Sequence, residues 1–197
     1  MNTNFLTNSN AKIKKTGKVN SVKLYEFNLP AVKTCPFALD CVKDCYADKG
    51  TFKYKVVRDK YEANLKATKQ DNFIKLILSE LDRKRPDFIR IHSSGDFYSI
   101  KYLNKWLQIA KKRPEIVFYG YTKSVPLFKS LKNIPENFRF CYSLGGKKDN
   151  LIDISQDYHA RIFQDLDQLR ANNYLNSSEN DLAWINTNEK KIGLIYH

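Results

Sequence analysis

An α/β fold built on a mostly parallel sheet is predicted by two features of the chain. Four short runs rich in β-branched and aromatic residues alternate with stretches of helical periodicity, and each run empties into a polar loop, three of which carry glycine or cysteine. An open sheet and a partial barrel both fit this order, and in both architectures ligands gather at the carboxyl ends of the strands. At 197 residues the chain is long enough to bury a core without disulfide staples. A single domain is expected: a polar leader over 1–20, a βα core over 21–146, and a C-terminal helix and strand over 147–197.

The elements follow in order. The leader lacks the apolar stretch of a secretory signal. Val22, Leu24 or Tyr25, Phe27 and Leu29 alternate through a first strand that Pro30 ends. The cysteine-bearing loop comes next. From Lys53 the pattern turns helical, with Val57, Tyr61 and Leu65 on one face, then Phe73, Ile74, Ile77, Leu78 and Leu81 on a second helix stopped by Pro86. Asp87 to His92 reads as the second strand, running into Ser93, Ser94, Gly95 and Asp96. Ser99 is placed to cap a helix carrying Leu103, Trp106, Leu107 and Ala110, which ends before Pro114. Glu115 to Tyr121 is the third strand, followed by Thr122-Lys123-Ser124 and a short helix from Pro126 to Leu131. Phe138 to Ser143 is the fourth, leading into Leu144-Gly145-Gly146. Beyond it, Tyr158, Ile162, Leu166 and Leu169 predict one helix over Gln156 to Leu175, and Lys191 to Tyr196 a last strand.

Lysine and arginine number 34 against 21 acidic residues, a formal charge of +13, which suits an anionic partner such as nucleic acid. The basic residues are spread along the chain, so solvated helix faces account for them equally well. No segment approaches the length that spans a bilayer, and a soluble, cytoplasmic protein with reduced thiols is expected.

Three of the four cysteines, Cys35, Cys41 and Cys45, fall on one short loop with five and then three residues between them. Gathered thiolates favour zinc or an iron–sulfur cluster. The spacing matches no common zinc finger, and Cys141 or a histidine would have to complete four ligands. Three cysteines suit a [4Fe–4S] cluster whose remaining iron is open to a small molecule. Asp40, Lys43, Asp44 and Asp48 make the segment too polar for a core strand; the alternative is three small buried residues without metal. Asp96 can accept from an ammonium group, with Gly95 letting the backbone come close, or it can serve the helix start near Ser99. His92 reads as a packing or hydrogen-bonding residue at a strand end. Arg90 and Lys123 suit a ligand carboxylate or phosphate. Tyr98, Phe118, Tyr119, Tyr121 and Tyr142 belong to the core or its rim, with one or two available to stack a nucleobase.

The runs Phe27-Asn-Leu-Pro-Ala, Lys33-Thr-Cys-Pro, Cys45-Tyr-Ala, Arg90-Ile-His-Ser-Ser-Gly-Asp-Phe-Tyr-Ser and Tyr121-Thr-Lys-Ser resemble the phage gene product 88 family, over roughly residues 17 to 146. More distantly, a three-cysteine loop after the first strand and a small-small-Gly-acid loop after the second resemble radical S-adenosylmethionine enzymes. That resemblance implies a partial (β/α) barrel, with Cys35, Cys41 and Cys45 ligating a [4Fe–4S] cluster. It also implies Ser94, Gly95 and Asp96 around the amino group of S-adenosylmethionine and Ser143 against the cofactor; Ser93, Thr122 and Lys123 join this composite site by their place at the carboxyl ends of the second and third strands. The superfamily separates its cysteines by three and then two residues, unlike this chain. Cys141, on the fourth strand, is a candidate fourth ligand that would close the cluster, or a thiol packed among aromatics. The expected protein is a radical enzyme needing an electron donor, acting on a nucleic acid or nucleotide. A noncatalytic, metal-stabilised nucleic-acid-binding protein and an iron–sulfur protein of electron transfer or redox sensing are the alternatives.

Overall fold

The structure, a computed structural model, describes residues 4–43 and 45–196; of Asp48 it describes the backbone alone. Its start corrects the expected polar leader. Phe5 and Leu6 are buried, and their N–H groups donate to the Glu80 carboxylate at 2.8 and 3.1 Å. Helix α1 (Ala11–Val19) follows, capped by Asn10, whose Oδ1 accepts from the Lys12 N–H at 2.9 Å. Its buried residues are Ile13 and Thr16, so a thin apolar stripe is diluted by lysines that face outward.

The next elements lie where hydrophobic periodicity places them. They are β1 (Leu24–Phe27), α2 (Lys55–Thr68), α3 (Phe73–Lys84), β2 (Phe88–Ile91), α4 (Ile100–Lys112), β3 (Val117–Thr122), α5 (Val125–Lys129) and β4 (Phe138–Ser143). Ser99 caps α4 as its position demands, Oγ accepting from the Tyr102 N–H at 3.2 Å. Helix α3 ends one residue before Pro86, at Arg85 in the left-handed region (φ 48°).

The single helix expected over Gln156 to Leu175 does not exist. The segment holds strand β5 (His159–Phe163), helix α6 (Leu166–Ala171) and the start of strand β6 (Leu175–Asn176); helix α7 (Leu182–Ile185) and strand β7 (Lys191–Ile195) complete the chain. The apolar residues at helical spacing are not the ones the fold buries. His159, Ala160 and Phe163 point inward, whereas Ile162 is 53% exposed. Asp165 then starts α6, its side chain accepting from the Gln168 N–H at 2.8 Å.

All seven strands form one sheet in the order β1-β2-β3-β4-β5-β7-β6, every neighbouring pair parallel. Right-handed crossovers between sequential strands send their helices to the same face. One core accordingly packs Phe27, Ile91, Phe118 and Tyr142 against Phe73, Trp106 and Phe128 of α3, α4 and α5. The opposite face, carrying Leu24, Tyr119, Cys141, Ala160 and Ile192, is covered by Ile13 of α1 and by Leu182, Trp184 and Ile185 of α7. The N-terminal segment runs along the β1 edge through an antiparallel bridge of Thr7 with Glu26, which shields an open strand edge.

Candidate metal and ligand site

The loops at the carboxyl ends of β1 to β4 meet. The cysteine loop leaves β1 through short 3₁₀ turns at Asp40–Val42, Tyr46–Asp48 and Gly50–Lys53. It is stitched to the loop after β4: the Asp40 N–H donates to the Gly145 carbonyl at 3.1 Å and the Lys147 N–H to the Phe37 carbonyl at 2.8 Å. Cys35, Cys41 and Cys45 are each half-buried. Burial, reinforced by the charges of Asp96, Cys45 and Cys41, pushes the Cys35 thiol up to about 12. Cys35 thus lies within electrostatic reach of Cys41, Cys45 and Asp96. Among the described residues, no group of three His, Cys, Asp or Glu converges closely enough to hold a metal ion. Three thiols on one loop are the donor type a cluster takes, but as placed they do not converge on one. Asp44, read as part of this polar segment, lies outside the described residues.

The second loop is bound to the first by side chains. Asn28, just past β1, accepts at Oδ1 from the N–H groups of Ser93 and Ser94 at 2.7 and 3.1 Å. Ser94 Oγ donates to the Leu29 carbonyl at 2.8 Å, and the Tyr46 hydroxyl donates to the Ser93 carbonyl. Gly95 adopts φ +84°, and a Cβ there would lie 2.6 Å from Thr34 Oγ1 and 2.7 Å from the Leu29 Cβ. Only glycine lets these two loops touch. His92, before them, is also left-handed at φ 72°, a strained position for a residue with a side chain. Its Nε2 lies 2.9 Å from the Tyr102 hydroxyl, in keeping with a packing role, and burial with the Arg90 charge lowers its pKa to about 3.

Asp96 is buried and fully engaged. Oδ1 accepts from the Phe97 N–H and the Thr122 hydroxyl at 2.7 Å each, and Oδ2 from the Lys123 N–H at 2.8 Å. Burial nonetheless raises its pKa. The carboxylate thus ties the β2 loop to the end of β3. Lys123 Nζ donates to Ser143 O and Oγ at 3.0 and 2.9 Å and to the Leu144 carbonyl at 2.5 Å, using all three N–H groups. Burial lowers its pKa; Cys41 is foremost among the groups that oppose the shift, which puts this ammonium beside the cysteine loop. Ser93, Ser94, Gly95, Asp96, Thr122, Lys123 and Ser143 are thus brought together, and most of their polar groups already bond within the protein.

Cys141 lies elsewhere. It is fully buried beside its register partner Tyr121 in the apolar cluster of Tyr119 and Trp184, and burial is what pushes its thiol well above the usual range.

A set of charges that sequence reading missed sits under the same edge. Asp181, at the start of α7, is fully buried and accepts from Arg90 NH1 and Lys12 Nζ at 2.6 Å each, and from the hydroxyls of Tyr119 and Tyr121 at 3.2 and 3.4 Å. Burial works against its charge, but Arg90 and then Lys12 outweigh it and hold the carboxyl below the usual range. Lys12 itself is lowered by burial, so Arg90, raised by Asp181 against its own burial, is the principal counter-ion. The same face holds Glu26, which burial raises. Arg90, read as a ligand-pairing residue, is committed to Asp181 through one nitrogen.

The match to the Gene product 88 family model runs from residue 4 to residue 196, nearly the whole chain. The chain belongs to the Gene product 88 family. A relative, the Gene 88 protein of Mycobacterium phage L5, is 30% identical over 102 residues, covering 46% of this chain and 43% of that protein. The chain thus matches less than half the length of this family member. No solved structure matches the chain. Membership in the family extends through β5 to β7, so Asp181 and its helix lie within the shared unit.

Proposed function

We propose that this protein is an iron–sulfur protein in which Cys35, Cys41 and Cys45 hold a [4Fe–4S] cluster at the mouth of a partial (β/α) barrel like that of radical S-adenosylmethionine enzymes. The observation that supports this reading is the placement of three half-buried thiols on one loop, at the carboxyl edge of sequential parallel strands, while Cys141 is packed in the core. When bound and reduced by an electron donor, such a cluster supplies the electron that cleaves S-adenosylmethionine into a radical-forming fragment. The chain's own residues would position the parts. The Asp96 carboxylate holds the loop after β2 against Thr122, and Lys123 sets a positive charge beside Cys41. The formal charge of +13 favours a nucleic acid or nucleotide substrate.

Anaerobic purification followed by iron and sulfide analysis tests the metal: stoichiometric zinc, or no metal, defeats the proposal. A second reading, a cluster that only transfers or senses electrons, is favoured by one observation. The polar groups of Ser94, Asp96, Thr122 and Lys123 already bond to the protein. Titration of the reduced protein with S-adenosylmethionine separates the two, since an unchanged EPR spectrum counts for the second.

A further inference from the structure

The edge of the sheet opposite the cysteines collects positive charge. Helices α1, α3 and α4 end just before β1, β2 and β3, and because those strands are parallel the three helix ends gather at one edge. Hydrogen bonds join them into one face. The N–H groups of Asp87 and Phe88 donate to the Lys23 carbonyl at 2.9 and 3.2 Å, and Arg113 Nε donates to Asp82 at 3.0 Å between α4 and α3. The Val22 N–H donates to the Gly17 carbonyl at 3.0 Å, which sets Lys18 beside the start of β1. Lys18, Lys23, Arg85, Lys111 and Lys112 are exposed here.

Helix C-termini ordinarily attract cations to their unpaired carbonyls, but other donors answer them at this edge. Asn20 Nδ2 donates to the Thr16 carbonyl at 2.8 Å, the Arg85 N–H to the Leu81 carbonyl at 2.7 Å, and Asn137 Nδ2 to the Ala110 and Arg113 carbonyls at 3.0 and 2.9 Å. Among the described residues, none of the five exposed side chains makes a hydrogen bond or an ion pair. The nearby acids are already engaged. Arg113 holds Asp82, and Asp87 accepts from the Lys23 N–H at 2.7 Å. Glu80, toward which Arg83 and Lys84 lean at 3.6 and 3.5 Å, is buried against the N–H groups of Phe5 and Leu6. Glu115 is left, and farther along Lys132 and Arg139 outnumber Glu136. At the cysteine edge the balance differs: Lys33 is committed to Glu62, Lys123 to Ser143 and Leu144, and Lys147 to the Pro36 carbonyl. Lys43 and Lys148 are exposed there, accompanied by the exposed Asp40.

Free cations with little apolar surface between them suit a phosphate backbone. Of the large apolar side chains exposed among the described residues, only Val19 stands at these helix ends, too little for a membrane or for the core of a protein interface. The exposed aromatics Tyr46, Tyr54 and Tyr196 lie elsewhere, so nothing here stacks an unpaired base. We infer that the amino-end edge of the sheet, centred on Lys23, Arg85, Lys111 and Lys112, binds the backbone of duplex nucleic acid, with the cysteine loop at the far ends of the strands, about 13–20 Å away by strand rise. This takes the nucleic-acid partner from the reading above and places it where no cluster is needed. Fluorescence anisotropy of a labelled DNA duplex of about 20 base pairs and mixed sequence, read with the full-length, anaerobically purified protein between about 50 and 200 mM salt, tests it. Binding weakens steeply with salt. Lys111→Ala with Lys112→Ala lowers affinity by about tenfold or more and the log–log salt slope by about 2. Lys43→Ala with Lys148→Ala, at the cysteine edge, changes affinity less than about twofold. Both pairs are exposed and leave the thermal midpoint unchanged. Should the first pair fail to fold, Lys23→Ala with Arg85→Ala carries the test. Absence of duplex binding, an equal loss in the cysteine-edge pair, or tighter binding to phosphatidylcholine–phosphatidylserine vesicles or to poly-glutamate than to the duplex overturns the inference. Iron content is read on the same samples: duplex binding without iron defeats the cluster alone, and iron without duplex binding defeats this face alone.

Discussion

Replacing Asp181 by asparagine removes one charge from a place where nothing else can substitute for it. The carboxylate is fully buried and receives two cations at 2.6 Å and two tyrosine hydroxyls at 3.2 and 3.4 Å. Asparagine keeps the shape and part of the hydrogen bonding, but Arg90 and Lys12 are left with Glu26 as the remaining buried anion of the cluster. Breaking a buried pair by removing one partner costs about 3–5 kcal/mol. For a chain of this size that corresponds to a drop of about 6–20 °C in thermal midpoint. Urea denaturation with an unchanged m-value gives the free energy directly. A loss under about 1 kcal/mol, the range of surface ion pairs, refutes the reasoning. Converting the pair to apolar residues, Arg90→Met with Asp181→Leu, recovers much of the loss. The pH dependence has a definite sign. Arg90 holds the folded carboxyl below its ordinary value, so its stabilisation is present above about pH 4, the unfolded value, and is lost as pH falls through the lower folded one. Asp181→Asn flattens that acid loss.

Three further outcomes are expected. Serine at Cys35, Cys41 or Cys45 abolishes iron retention, whereas Cys141→Ser retains iron and costs about 1–3 kcal/mol by burying a hydroxyl in an apolar cluster; equal iron loss in all four variants identifies a closed four-thiolate site. Gly95→Ala, which combines a positive φ with a Cβ 2.6 Å from Thr34 Oγ1, lowers stability by about 1–3 kcal/mol in chemical denaturation, and a neutral effect contradicts the observed loop contact. His92, with its pKa lowered to about 3 by burial, shows no NMR titration between pH 5 and 8. The unfolded state takes up that proton below about pH 6.5, so stability falls with pH from there toward 3, and an assigned His92 resonance titrating normally disproves its burial as a neutral ring.

Local signals explain what was legible. Strands β1 to β4 and helices α2 to α5 lie where alternation and helical spacing put them, because each buries a face whose periodicity its own residues record. Ser99 caps α4 and Pro86 follows the end of α3 for similarly local reasons. The segment after Gln156 misled because Tyr158, Ile162, Leu166 and Leu169 fall at helical spacing by coincidence. Burial there is decided by the pairing of β5 with β7, which presents His159, Ala160 and Phe163 inward. Asp165 was the readable cue, a cap before α6 that breaks the supposed helix. Helix α1 hid for the opposite reason, since two buried residues leave little apolar signal.

By itself the sequence determined the class of the fold, its first four strands and the gathering of three cysteines at the end of the first, since each depends on residues close along the chain. The tertiary structure decided which groups those cysteines face and how the charges pair. Arg90 meets Asp181 across 91 residues, a contact that no local pattern encodes. Asp96, Thr122 and Lys123 likewise come together only when parallel strands align their carboxyl ends, bringing loops distant in sequence into hydrogen-bonding range.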